Sequence, residues 1–352
     1  MNDHRLDMPP ARAYRRIATE EAYAPPELIQ AYRRLIDGGH SDDPGFTSSW
    51  RYFLNNPSPR TQSIIAKLQD LGEGRLRDMD AAGIDMQLLS LASPGIQVFD
   101  APTASSLAIS FNDALAESIA RHPDRYAGLA AIAPHDPERA ARELERAVRT
   151  LGLKGAIVNS HTHDSYLDDP RCWPIFEAAQ ALDVPIYLHP TSPSRGLIAP
   201  LLARGLDGAI FGFAVETGMH ALALIVSGVF DRYPRLKLVL GHLGEGLPFW
   251  LSRLDFMYRA GAATGRYGSW AKLERKPSDY LRQNIFVTTS GMASAPVIAF
   301  CQAQLGADRV LYAMDYPFEY VADEVHETEA TACSAQQMAQ LFETNARSLF
   351  KL

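Results

Sequence analysis

Short apolar runs alternate along the chain with stretches whose apolar positions carry helical spacing. The first run is Ile17–Tyr23 (I-A-T-E-E-A-Y), after which Pro25-Pro26-Glu27-Leu28-Ile29 opens a helix with proline in its first turn. Further runs fall at Ile84–Leu91, Tyr126–Ala133, Gly155–Asn159, Ile186–His189, Leu238–Leu240, Asn284–Thr289 and Val310–Asp315. Helical stretches separate them: Thr61–Ala82, Leu107–His122, Asp136–Leu151, Pro174–Leu182, Gly218–Phe230, Phe249–Tyr258 and Pro296–Leu305. Strands and helices that alternate without a shift in composition predict one α/β domain over residues 1–352, a (β/α)8 TIM barrel with inserted loops. A doubly wound open sheet is the alternative, but no glycine-rich fingerprint follows the first strand. Residues 36–60 read as a loop insertion rich in Gly, Ser, Asn, Pro and aromatics. A loop that long in a compact domain is usually functional, so Trp50, Tyr52, Phe53 and Arg60 are placed in a pocket lining or a subunit contact.

Composition narrows the function classes. A hydrophobic content of 47% with 21% charged residues describes an ordinary globular protein with ample core. The formal net charge of -7, with no basic stripe, argues against nucleic acid as a partner. Cys172, Cys301 and Cys333 lack metal-type spacing and suggest a reducing compartment, so a cytoplasmic protein is expected. The N-terminus shows no apolar signal region, and the least polar stretch, Thr217–Phe230, is too short to span a bilayer; no membrane association is expected.

In a barrel the active site gathers at the carboxyl ends of the strands. Those tips carry Glu20 and Glu21; Ser93; His135; Asn159, His161 and His163; His189; His242; Ser290; and Asp315. The two glutamates have a second reading, as the acidic start of the following helix, and a strand-end histidine can be a buried structural residue. Several polar residues at apolar strand tips nevertheless look like one site. Glu20, His189 and Asp315 offer two oxygens and a nitrogen, a set that suits Mn²⁺ or Mg²⁺ at least as well as Zn²⁺. His242, on the stretch K-L-V-L-G-H-L-G-E-G, stands as acid or base with Glu245 orienting its far nitrogen. His220 reads as structural, and His4, His40, His122 and His326 as surface or loop residues. Lys154 lies at the wrong end of its strand to bridge metals.

Four stretches, I-A-T-E-E-A, F-G-F-A-V-E-T-G-M-H, G-H-L-G-E-G-L-P-F-W and Y-A-M-D-Y-P, carry a resemblance that spans nearly the whole chain. It is to the amidohydrolase superfamily, and within it to the amino-carboxymuconate-semialdehyde decarboxylase-like branch; 5-carboxyvanillate decarboxylases look most similar. The resemblance implies Glu20, His189 and Asp315 as ligands of Mn²⁺, with no organic cofactor, and His242 with Glu245 as a catalytic pair beside Asp315. It implies Arg60 and Arg253 as arginines facing an ortho-hydroxy aromatic acid that loses CO₂. Ala22 stands where many relatives place a second first-strand histidine, as in the 5-carboxyvanillate type. Phe53 and Phe318 replace expected tyrosines and Ala92 an expected threonine, each swap removing a hydroxyl from the pocket. A hydrolase of lactonase type, using metal-activated water, is the alternative function. A homodimer or dimer-based oligomer is expected, with the aromatic segment Phe46–Leu54 as a candidate contact.

Overall fold

A computed structural model of the chain describes residues 13–329 and 334–352. His4 and Cys333 lie outside the described residues. Nine strands are assigned there: β1 (Ile17–Tyr23), β2 (Met86–Leu91), β3 (Tyr126–Gly128), β4 (Ala130–Ala131), β5 (Ala156–Asn159), β6 (Ile186–His189), β7 (Leu238–Leu240), β8 (Ile285–Thr288) and β9 (Val310–Leu311). All pair in parallel, in chain order, as the ribbons β1-β2-β3 and β4 through β9. The ribbons meet at both ends. Leu129 donates to the Leu89 carbonyl at 2.9 Å and Ala130 to that of Gly155 at 2.8 Å where β3 passes into β4. On the other side Thr19 donates to Tyr312 at 3.0 Å and Ala22 to Tyr316 at 2.7 Å, tying β1 to the chain that leaves β9. β3 and β4 therefore form one stave, and eight staves close a (β/α)8 barrel.

Period-two alternation sorts the core into two clusters. Leu88, Ile157, Tyr187, Val239 and Leu311 pack together with Ala346, Leu349 and Phe350 of the C-terminal helix Asn345–Phe350. Their chain neighbours Leu89, Val158, Leu188, Leu240 and Val310 join the larger cluster shared with the surrounding helices. The C-terminal helix thus covers one end of the barrel interior, and the polar tips gather at the other.

The structure corrects several elements. Thr61–Ala82 is two helices, Pro59–Gln69 and Glu73–Ala81, broken where the Asp70 side chain accepts from the Gly72 amide at 2.7 Å. Gly218–Phe230 belongs to a longer helix, Gly212–Val226, followed by the short Val229–Arg232. The insertion at 36–60 is no open loop. It holds the helix Pro44–Asn55, started by Asp43, whose carboxylate accepts from the Gly45 and Phe46 amides at 2.8 and 2.9 Å. Phe46 and Trp50 turn inward onto Tyr32, at ring distances of 5.1 and 4.6 Å, whereas Tyr52 remains exposed. Among the described residues no helix is long and apolar enough to cross a membrane.

Candidate active site

β1 contains the irregularity that builds the site. Its pairing with β2 shifts register between Ala18 and Glu21, a bulge of the kind that re-aims side chains next to active sites. Glu20 turns into the barrel and is buried. Its Oε2 accepts hydrogen bonds from three hydroxyls: Tyr187 on β6, Thr288 on β8 at 2.6 Å, and Ser290 just beyond β8. Its Oε1, equally buried, has no hydrogen-bond partner among the described residues. That oxygen lies 3.4 Å from His189 Nε2. One carboxylate oxygen is saturated and the other held bare.

His189 ends β6 and donates from Nδ1 to the Pro190 carbonyl at 2.8 Å, which leaves the Nε2 lone pair facing Glu20. Ser93 donates to the same carbonyl at 2.8 Å and steadies it. One ligand atom each from Glu20, His189 and Asp315 lies within 4.8 Å of the others, so the three residues picked out from their strand tips come together. A Cβ on Gly241 would stand 2.8 Å from Glu20 Oε1, so glycine leaves the space before that oxygen clear. A bare buried carboxylate oxygen, an imidazole lone pair, a second carboxylate and a cleared space fit a divalent cation bound by hard oxygens and one nitrogen.

His242 follows β7 on a backbone bent into the left-handed region, with φ +49° at His242, +53° at Leu243 and +54° at Glu245. Such angles are uncommon for residues with side chains and concentrate at functional sites. The turn places His242 Nδ1 2.9 Å from Glu245 Oε1, and the His242 amide donates to Ser290 Oγ at 3.1 Å. Because Nδ1 donates to Glu245, Nε2 is left for other contacts. Ser290 therefore serves both Glu20 and the His242 turn.

The charges are mutually dependent. Burial pushes Asp315 well above the usual carboxylate range, and Glu20 beside it adds to the rise. Burial also raises Glu20, but His242, His189 and the hydroxyl donors outweigh it and bring that group below its ordinary value. Burial lowers His189 against the pull of Glu20. Burial lowers His242 too, yet Glu245, Glu20 and Asp315 together lift it well above the ordinary imidazole value. Glu21, wholly buried, is pushed up to about 8 by desolvation against the amides of Met314 and Tyr316.

Other strand-tip residues serve the loops. His135 and His163 both donate to the Phe99 carbonyl, at 2.9 and 3.0 Å, and His161 to that of Ser192 at 3.0 Å. The Asn159 amide donates to buried Gln97, whose own amide donates to Thr162 at 2.7 Å. His220 is buried, accepts from the Leu167 amide at 2.9 Å and contacts Ser160 at 3.2 Å, a structural arrangement. Arg60 is exposed and donates to the Phe318 carbonyl at 2.8 Å. Phe53 meets Phe318 edge-on at 5.5 Å, so these three stand together, while Ala92 is buried beyond the end of β2. Arg253 is exposed on the helix Leu247–Thr264 and lines an outer groove with Gly218, Glu245 and Trp250. No described hydrogen bond draws it to the Glu20 cluster. Tyr187 and Thr288 went unrecognised in the sequence, although each lies two residues before a polar strand tip and so shares its face.

Residues 66–352 match the family model described as amidohydrolase. The chain belongs to the amidohydrolase family. A γ-resorcylate decarboxylase of Polaromonas sp. is 37% identical over 96% of this chain and 98% of its own length. Among solved structures, a 5-carboxyvanillate decarboxylase of Novosphingobium aromaticivorans, with bound manganese and 3-methoxy-4-hydroxy-5-nitrobenzoic acid, is 49% identical with a TM-score of 0.95, covering 97% of this chain and 98% of that one. A dihydroxybenzoic acid decarboxylase of Polaromonas sp., with manganese and 2-nitroresorcinol, is 36% identical with a TM-score of 0.83, over 96% and 97% of the two chains. Both structures contain manganese, the metal that the resemblance implies here and one of those the donor set suits.

Proposed function

We propose that this chain is a divalent-metal-dependent, non-oxidative decarboxylase of an ortho-hydroxy aromatic carboxylic acid, with a 5-carboxyvanillate-like or resorcylate-like substrate. The observation that carries the reading is Glu20, buried, with Oε2 locked by three hydroxyls and Oε1 bare before His189 and Asp315. Glu20, His189 and Asp315 would hold Mn²⁺, which when bound would supply positive charge beside the substrate and draw electron density from its ring. Asp315 delivers a proton to the ring carbon that bears the carboxylate. His242, steadied by Glu245, supports negative charge on the phenolic oxygen. The protonated carbon becomes tetrahedral, its bond to the carboxylate breaks, CO₂ departs and the electron pair restores the aromatic ring. Arg60 and Arg253 bind the remaining oxyanions, since the guanidinium fork matches a carboxylate. No organic cofactor takes part.

Phe53, Phe318 and Ala92 set the substituent pattern. Where the two phenyl rings meet the substrate they offer no hydrogen bond, which favours an apolar or absent substituent there. The protein works in the cytoplasm as a homodimer, a reading supported by the unpaired buried thiols Cys172 and Cys301 and by exposed Phe249, Trp250 and Phe256 on one helix.

The test is ultraviolet loss of 5-carboxyvanillate, γ-resorcylate, 2,3-dihydroxybenzoate and salicylate with Mn²⁺-loaded protein, using Asp315→Asn as control. Metal-dependent turnover that disappears in the variant is expected. Inertness toward all four acids, with lactones opened instead, would replace this reading with the hydrolase.

A further inference from the structure

The two adjacent glutamates of β1 do different work. Glu20 faces the cation space. Glu21 is fully buried, and its two oxygens accept from the Met314 amide at 3.0 Å and the Tyr316 amide at 3.2 Å. Those are the peptide N–H groups on either side of Asp315. Asp315 itself sits at φ +58°, in the left-handed region that a residue with a side chain enters only when its surroundings hold it there.

Everything around Glu21 reinforces this grip. Gln87 on β2 donates to Glu21 Oε2 at 3.4 Å and accepts from Arg75 Nε at 2.7 Å. Arg75, buried, donates to the Ala22 carbonyl at 2.7 Å and lies over the Tyr316 ring at 4.4 Å. The Ala22 amide donates to the Tyr316 carbonyl at 2.7 Å. The chain leaving β9 is therefore seized at residues 314 and 316 by one side chain of β1, while residue 315 is left to project its carboxylate.

We propose that Glu21 is a positioning residue. Its two carboxyl oxygens clamp the amides flanking Asp315, hold that residue in its left-handed conformation and so aim the Asp315 side chain at Glu20 and His189. The inference rests on the reading of Asp315 as metal ligand and proton donor given above. The β1 bulge allows one strand to contribute a ligand at Glu20 and the support of a second ligand at Glu21. Glutamine at position 21 would keep one acceptor oxygen and turn an NH₂ group toward the other amide, so donor would face donor.

The experiment is a double-mutant cycle on Mn²⁺ affinity, read by the electron paramagnetic resonance of free Mn²⁺. Glu21→Gln is expected to weaken Mn²⁺ binding by about 10–100-fold, as loss of a ligand's support typically does. At saturating Mn²⁺ its kcat should fall while KM stays near the parent value. In the Asp315→Asn background the same change should cost little more, because the group that Glu21 aims is already lost. Glu21→Asp, which keeps both acceptor oxygens, should restore part of the affinity; it also serves if Glu21→Gln does not fold. Equal losses of affinity with and without Asp315→Asn would overturn the clamp and leave Glu21 as a fold-stabilising residue. A metal affinity and turnover untouched by Asp315→Asn would instead overturn the site reading, so the two failures are distinguishable.

Discussion

At the scale of single residues, the division of labour on Glu20 is the most informative feature. Three hydroxyls hold Oε2, so each removal should loosen the carboxylate without touching the ligand atom. Tyr187→Phe is expected to reduce Mn²⁺ affinity by about 10-fold or more with the fold intact by circular dichroism. An unchanged affinity would mean that the hydroxyls only satisfy a buried charge. His220 gives a pH prediction. Burial, with His161 adding to it, lowers this imidazole to about 3, whereas the unfolded chain titrates near the ordinary 6.5. Between those values the unfolded state binds the extra proton. The contribution of neutral His220 is therefore intact above about pH 7 and is lost progressively as pH falls through 6.5 toward 3. Urea unfolding at pH 7.5 and 5.5 should show that loss, and His220→Gln should make the difference smaller. The convergence of Glu20, His189 and Asp315 and the His242–Glu245 hydrogen bond were legible because strand tips with polar side chains stand out against apolar runs. Tyr187 was not, since a tyrosine inside an apolar strand is ordinary core chemistry until the barrel closes and brings Glu20 against it.

At the scale of elements, turn and cap chemistry decided what the sequence reading missed. T-S-S-W-R-Y-F-L-N-N has too many polar and aromatic residues to look helical, yet Asp43 and Pro44 start a helix there and Tyr32 receives its aromatic face. Asp43→Ala should cost about 1 kcal/mol, seen as a lowered denaturation midpoint, while Mn²⁺ affinity stays unchanged because the cap touches no ligand. A large loss of metal binding in that variant would show the insertion to be coupled to the cation site. The break at Asp70–Gly72 was hidden because apolar spacing continues across it. The β1 bulge was hidden as well: two consecutive glutamates in a regular strand would point to opposite faces, and nothing local announces a register shift.

At the scale of the whole molecule, eight apolar runs alternating with helices sufficed for the barrel, because a parallel sheet buried on both faces demands such runs. Closure and quaternary contacts depend on surfaces far apart in the chain and were less legible. The inward turn of Phe46 and Trp50 leaves Arg51 and Tyr52 as the exposed part of the segment Phe46–Leu54. The groove of about 750 Å³ beside Trp250 and Met257, with exposed Phe249 and Phe256 on the same helix, is the apolar face proposed for the subunit contact. Phe256→Glu should shift the mass measured by light scattering from dimer to monomer; a dimer that persists would place the contact on another face. The central claim, metal-dependent protonation of an aromatic ring with loss of CO₂, is tested most directly in D₂O. Mn²⁺-loaded protein should release one CO₂ per acid consumed and leave one deuterium at the ring carbon that had carried the carboxylate, with neither product formed once the metal is removed. A consumed substrate without CO₂, or product without deuterium at that carbon, would contradict the account.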